Sequence, residues 1–464
     1  MYLIIIKSFG KIIRGDILKA FKAYDIRGVY NKDFNGDDVY KIGYFLPELL
    51  EARKILVARD VRISSSEIYN RLAEGITDSG ADVYYLGLAT TPMVYFGTAK
   101  YNFNASVQIT ASHNPPEYNG LKISRTDALP VGYEMGLNKL EKIIETQNPI
   151  PAKVKGVIHD FNYQEDYLNF LNKYKSDYSN LNVAIDSSNG MAALLLEKIL
   201  GDEFIYINNI MDGNFPSHDP NPLIEENVKQ LKELVLENNC DLGIIFDGDA
   251  DRVMFVDENG KFISPDIITA VLARYYYLEN NNKNKVVLHD IRTSRAVSEY
   301  IEKLGGEVHM WKVGHAYAKL KLRMIDALFG GELAGHYYFK EFYNCDSGIL
   351  TALIVLQVLK ELKESGDKFS SLIDSITKYS FSGEINFRIE EKEKAMIEIK
   401  DYFAQYNPDR ILDFDGYRIE YSDWWFNIRP SNTEPYLRLV VEAEDDILLN
   451  EKFEKIKNIL KKYR

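Results

Sequence analysis

The chain has 464 residues, too many for one hydrophobic core, so roughly three or four domains are expected. Its apolar fraction of 46% and charged fraction of 27% are those of an ordinary soluble globular protein. A net charge of −13, from 56 basic and 69 acidic residues with no basic domain, argues against a nucleic-acid partner, but not against a small anion held by a few local Arg and Lys.

Residues 1–19 carry no chemical signal, and the apolar Leu3-Ile4-Ile5-Ile6 is cut by Lys7, too short for a signal peptide or a membrane span. Cys240 and Cys345 stand far apart and read as free thiols of a reducing compartment. A cytoplasmic protein with no membrane partner, monomeric or homodimeric, is expected.

Ala23-Tyr24-Asp25-Ile26-Arg27-Gly28 sets an arginine before a glycine. Lys54–Ala58 predicts a buried strand, Arg59–Ser65 its C-terminal loop, a helix from Ser65 or Ser66 to Gly80, and Asp82–Leu86 the next strand. Such alternation predicts parallel βαβ units, whose ligands gather at the carboxyl ends of strands, where Arg59 and Arg62 fall. A further strand at Asn104–Ile109 leads into Thr110-Ala111-Ser112-His113-Asn114-Pro115, with Pro116, Asn119, Gly120 and Lys122 close behind. Asn114-Pro115-Pro116 forbids a helix, so a stiff loop holds the Ser112 hydroxyl exposed, as a nucleophile requires. Two prolines between Thr146 and Gly156 mark a domain boundary.

A second α/β unit is expected from a strand at Asn182–Asp186, a helix over Gly190–Leu200, a Pro-rich loop (Phe215–Pro222), a helix over Ile224–Asn238 and a strand at Leu242–Phe246. Asp247-Gly248-Asp249-Ala250-Asp251-Arg252 then precedes another strand, Val253–Val256. Three aspartates at alternate positions repel one another unless a cation sits between them, and an all-oxygen set favours Mg²⁺, Mn²⁺ or Ca²⁺ over zinc. An EF-hand is excluded: Glu258 holds the twelfth position from Asp247, but Arg252 stands where a glycine must turn, and strands flank the loop. A second alternative is an aspartyl phosphotransferase of the haloacid-dehalogenase type, with Asp247 attacking phosphorus and Asp249 as acid; a third aspartate and the loop's distance from the chain start count against it.

Asn259-Gly260 predicts a turn, and Ser264-Pro265 a cap and first-turn proline opening a third α/β unit that runs to about Ser371. Within it lie Lys312-Val313-Gly314-His315 and Gly330-Gly331-Glu332-Leu333-Ala334-Gly335-His336, where a carboxylate able to accept from vicinal sugar hydroxyls precedes an imidazole by four residues. The last stretch predicts strands at Tyr417–Tyr421 and Tyr436–Ala443 and a closing helix near Leu448–Lys462. Between the strands, Arg429-Pro430-Ser431-Asn432-Thr433-Glu434-Pro435 combines a guanidinium, hydroxyls and a tight turn into an anion cradle that is not of the Walker type.

Together the four loops, in this order, resemble the α-D-phosphohexomutase superfamily, most of all its bacterial and archaeal phosphomannomutase/phosphoglucomutase group, from about Ala20 to the C-terminus. The resemblance implies four α/β-class domains around a central cleft, three similar units with mixed sheets and a smaller α+β domain, placed here at 1–155, 156–262, 263–373 and 374–464. It implies Ser112 as the phosphoserine and, with Asp247, Asp249 and Asp251, a ligand of one Mg²⁺. Catalytic roles are implied for Lys122, His336, Arg27 and His113, and substrate contacts for Arg252, His315, Glu332, Arg292, Arg429, Ser431, Asn432 and Thr433. The reaction implied is interconversion of hexose 1- and 6-phosphates of mannose or glucose, with hexose 1,6-bisphosphate as intermediate and activator. Ala334 replaces a serine common in dual-specificity members, and Arg292 a lysine, which puts the sugar preference in question; Thr110 fits hexose mutases better than the phosphoglucosamine mutases. A phosphosugar-binding protein without turnover is the non-enzymatic alternative.

Overall fold

A computed structural model describes residues 17–279, 283–431 and 436–463. The segment 1–16 and the loop residues Asn432 and Thr433 lie outside the described residues.

The first sheet contains β1 (Ile26–Val29), β2 (Lys54–Arg59), β3 (Asp82–Leu88), β4 (Ala105–Ile109), β5 (Tyr118–Arg125), β6 (Leu129–Pro130) and β7 (Ile158–Asp160). Its order is β1-β5-β4-β2-β3-β7, with β6 beside β5. Strands β4, β2, β3 and β7 run parallel, and β5 turns back antiparallel to β4. All five residues of β4 are buried, because helices cover both faces.

The second sheet, β12-β11-β10-β8-β9, comprises β8 (Val183–Asp186), β9 (Ile205–Ile207), β10 (Leu242–Phe246), β11 (Val253–Asp257) and β12 (Phe262–Ile263). The third, β14-β13-β15-β16-β17, comprises β13 (Val286–Asp290), β14 (Glu307–Trp311), β15 (Phe329–Gly331), β16 (Tyr337–Phe339) and β17 (Cys345–Asp346). Both repeat the plan of the first sheet: parallel strands, then one antiparallel return, at β10–β11 and at β15–β16. The last sheet is antiparallel: β18 (Ser380–Phe381), β19 (Ile385–Arg388), β20 (Arg410–Leu412), β21 (Tyr417–Glu420), β22 (Trp424–Pro430) and β23 (Tyr436–Ala443).

All four motif loops occupy one topological position. The Ser112 loop joins β4 to β5, the aspartate loop β10 to β11, the Glu332–His336 loop β15 to β16, and the Arg429 loop β22 to β23. In each of the first three units this is where the last parallel strand hands over to its antiparallel neighbour, so each loop lies at the carboxyl end of a parallel strand. One large apolar cluster runs through these three units, from Leu56 and Phe96 through Phe246 to Leu353, whereas the last unit has its own core around Phe403, Phe426 and Leu439.

Two expected helices are broken. Over Gly190–Leu200 a 3₁₀ turn (Met191–Leu194) precedes a short α-helix (Leu196–Leu200), because Met191 N–H donates to the Gly248 carbonyl at 2.9 Å and draws the first turn onto the aspartate loop. Over Ile224–Asn238 the first turn is again 3₁₀ (Glu225–Val228) before α-helix Lys229–Glu237. Ser264 does precede helix Pro265–Arg274, but its hydroxyl bonds the Asp266 carboxylate and not the helix N–H groups. The closing helix spans Asp446–Leu460 and starts on an Asp445 cap.

Candidate active site

The serine loop is built around a buried arginine. Arg62, 1% exposed, donates from Nη1 to the carbonyls of Pro115 (2.6 Å) and Tyr118 (3.0 Å), and from Nη2 to those of Ser112 (2.8 Å) and Asn114 (2.6 Å). The Asp60 carboxylate, 3.2 Å from Arg62 Nε, balances its charge. One planar guanidinium thus fixes the whole turn, a task its fork of donors suits and a lysine's ammonium does not. Ser112 itself has φ of 52°, strained for a residue with a side chain, and its N–H is held by the Thr110 hydroxyl at 2.9 Å.

Ser112 Oγ donates to Asp247 Oδ2 at 2.7 Å, which joins the first unit to the second. Arg252 pairs with the same oxygen through Nε at 3.0 Å and reaches Ser112 Oγ from Nη2 at 3.5 Å. The two loops meet backbone to backbone: a Cβ on Gly248 would lie 2.5 Å from the Ser112 carbonyl oxygen, so only glycine fits there. Lys122 Nζ bridges Asp249 Oδ2 and Asp251 Oδ2, at 2.6 Å each. The Thr91 hydroxyl adds a bond to Asp249.

Asp247, Asp249 and Asp251 are all buried, with one oxygen of each within 4.8 Å of the others. Burial, then repulsion from Asp249 and Asp251, pushes the Asp247 carboxyl up to about 7. Asp249 Oδ1 and Asp251 Oδ1 have no hydrogen-bond partner. Buried, unpartnered carboxylate oxygens that repel one another and face one point are the donor set of an oxygen-ligated cation.

Burial opposes protonation of His336, but Asp251 and Asp346 outweigh it and raise the imidazole's pKa. Its Nδ1 lies 2.7 Å from Asp346 Oδ2, while the other Asp346 oxygen pairs at 2.7 Å with Lys319, fully buried under the Tyr95 ring. His113 goes the other way: burial, then Arg252, Arg27 and Lys122, hold it well below the usual imidazole value, with Nδ1 3.4 Å from Ser112 Oγ. His315 is likewise held low, by burial and then Lys319, and its ring centroid is 6.0 Å from that of His336. Glu332, buried, accepts from Gly314 N–H at 2.9 Å, and burial raises its pKa. Arg27 reaches Asn114 Oδ1 at 2.9 Å and pairs with Asp25.

The structure therefore gathers Arg27, Ser112, His113, Lys122, Asp247, Asp249, Asp251, Arg252, His315, Glu332 and His336 into one network. Arg292 and Arg429 form a second group beside it. Arg292 is bidentate to Asp290, whose Oδ2 also accepts from Leu333 N–H of the Glu332–His336 loop at 2.9 Å, and both arginines meet Glu384. Ser431 is buried directly after β22, at the start of the Arg429 loop, its N–H on the Tyr436 carbonyl at 2.9 Å. Sequence reasoning missed the network roles of Arg62, Lys319, Asp346 and Glu384. Lys319 follows His315 by one helical turn, a spacing that could have marked it.

Matches to the phosphoglucomutase/phosphomannomutase domain models cover residues 18–150 (α/β/α domain I), 162–260 (domain II), 264–379 (domain III) and 384–459 (C-terminal domain). The chain belongs to the phosphoglucomutase/phosphomannomutase family. A phosphomannomutase of Methanocaldococcus jannaschii is 39% identical over 97% of this chain and 98% of its own length. A phosphomannomutase of Escherichia coli is 36% identical over 96% of this chain and 99% of its own. The crystal structure of a phosphoglucomutase/phosphomannomutase family protein from Burkholderia thailandensis superposes with a TM-score of 0.82 at 29% identity, covering 96% of this chain and 97% of that one. Phosphoglucomutase/phosphomannomutase enzymes are isomerases that transfer phosphate within a sugar phosphate and use a metal ion, and the aspartate trio is a cluster able to hold one. Among the described residues, no helix is long and apolar enough to cross a membrane.

Proposed function

We propose that this chain interconverts hexose 1-phosphates and hexose 6-phosphates of mannose and glucose through a phosphorylated Ser112. The observation that carries the reading is the Ser112 hydroxyl, held in a stiff loop, bonded at 2.7 Å to a buried carboxylate trio and flanked by Arg252. The naming of the relatives as phosphomannomutases supports the choice of sugars. Two buried cysteines, both unpaired, support a reducing, cytoplasmic setting.

In this mechanism the free hydroxyl of a hexose monophosphate attacks phosphorus on Ser112 and gives up its proton, the Ser112 Oγ–P bond breaks and the serine oxygen takes up a proton, and a sugar bisphosphate forms. The reverse transfer then returns the other phosphate to Ser112. Lys122 and His336 are the proton donors: both carry raised pKa values because neighbouring carboxylates outweigh burial. His113, held neutral, is the group able to accept a proton beside the serine oxygen. Arg252 places a guanidinium against the transferring group, where charge stabilisation does most of the catalytic work. Asp247, Asp249 and Asp251, with the Ser112 oxygen, would hold Mg²⁺, which supplies further charge neutralisation at the transferring phosphoryl when bound. Glu332 accepts ring hydroxyls, and Arg429, Ser431, Asn432 and Thr433 grip the phosphate that is not being transferred.

A coupled assay with mannose 1-phosphate and glucose 1-phosphate, Mg²⁺ and a hexose 1,6-bisphosphate activator tests this. Turnover of one or both is expected; turnover confined to N-acetylglucosamine 1-phosphate, or none at all, would overturn the choice of substrate or of reaction.

A further inference from the structure

Three guanidiniums converge on one carboxylate that the mechanism above does not use. Glu384 Oε2 accepts from Arg292 Nη1 at 2.9 Å and from Arg429 Nη2 at 3.4 Å, and Oε1 accepts from Arg438 Nη1 at 2.8 Å. Glu384 directly precedes β19, whereas Arg429 is the last residue but one of β22, Arg438 lies on β23 and Arg292 follows β13 of the preceding unit. The carboxylate therefore spans the junction between the third and fourth units. Burial disfavours its charge, but Arg292, Arg429 and Arg438 hold its pKa at about 2, so it is an anion at any physiological pH.

Convergent arginines are what a phosphate requires, and a carboxylate presents the same pair of acceptor oxygens to a guanidinium fork. Asp290 already occupies two donors of Arg292. We propose that Glu384 is an internal competitor for the substrate's phosphate, a positioning residue that weakens the grip of Arg292, Arg429 and Arg438 so that a bisphosphorylated sugar can let go and turn. The inference rests on the Arg429 loop being the phosphate cradle. A mere strut would have the opposite effect: its removal would let the arginines scatter and would weaken phosphate binding.

Binding of inorganic phosphate to the full-length protein, measured by calorimetry, separates the two, with Arg429→Ala identifying the cradle's share of the signal. Glu384→Gln keeps the shape and removes the charge, and should tighten cradle binding about tenfold, the worth of one charge-assisted hydrogen bond. In turnover it should lower both KM and kcat, as release becomes slower. Glu384→Asp keeps the charge and should stay within about twofold of wild type, since the competing anion remains. Weaker or unchanged phosphate binding in Glu384→Gln, or equal shifts in both variants, would overturn the inference. Phosphate binding indifferent to Arg429→Ala would instead remove the cradle reading on which it rests.

Discussion

Ser112 Oγ lies 2.7 Å from Asp247 Oδ2 although 135 residues separate them. The contact exists because two α/β units of the same plan set their hand-over loops face to face, and because Gly248 lets one backbone approach the other. It places the proposed nucleophile at the edge of the carboxylate trio, where a transferring phosphoryl group would meet both a cation and Arg252.

Removing that hydroxyl should remove the reaction. Ser112→Ala is expected to lower kcat by roughly a thousandfold or more while leaving the fold intact, since the alanine loses only the hydroxyl's contacts with Asp247, Arg252 and His113 and no packing. The coupled isomerase assay and a thermal melt check the two halves of the statement.

Arg62 is expected to matter as much to the loop as Ser112 does to the chemistry. Arg62→Met strips four carbonyls of their donor and leaves the buried Asp60 without its cation, at a cost of about 3 kcal/mol in denaturant unfolding. Arg62→Lys should recover little of kcat, because one ammonium cannot span all four oxygens.

Divalent metal should stabilise the protein as well as activate it. A chelator is expected to abolish turnover and Mg²⁺ to restore it. In the absence of substrate, Mg²⁺ at about a hundred times its Kd should add roughly 2.7 kcal/mol to stability, read from the melting temperature. Asp251→Asn should lose most of that gain, since Asp251 Oδ1 is one of the two unpartnered oxygens of the trio.

The Glu384 link has a defined pH window. Its pKa is depressed from the ordinary 4.5 to about 2, so folding releases a proton and the link stabilises the native state above pH 4.5. That contribution fades as pH falls from 4.5 towards about 2. The stability difference between wild type and Glu384→Gln should therefore be constant from pH 8 to about 5 and shrink below it, as followed by urea unfolding.

Much of this was readable because each motif is contiguous. Three aspartates in five residues, or a serine between a strand and two prolines, announce their chemistry locally, and the parallel strands read as short apolar runs. What could not be read is what depends on distant partners. Arg62 gains its meaning only from carbonyls about fifty residues away, and Glu384 only from arginines on both sides of a domain junction. Lys319 was hidden by its helix, where a lysine is ordinarily a solvated residue. The broken helix at Met191–Leu194 fails for the same reason: its first turn answers to the Gly248 carbonyl of another loop, not to its own propensity.

The central claim is that phosphate travels on Ser112. The most direct measurement is to incubate the protein with a hexose 1,6-bisphosphate labelled in its phosphates and locate the label by peptide mass spectrometry. An alkali-labile, hydroxylamine-resistant phosphate on the peptide containing Ser112 is the predicted result; a hydroxylamine-sensitive acyl phosphate on Asp247, or full turnover with Ser112 unlabelled, would contradict it.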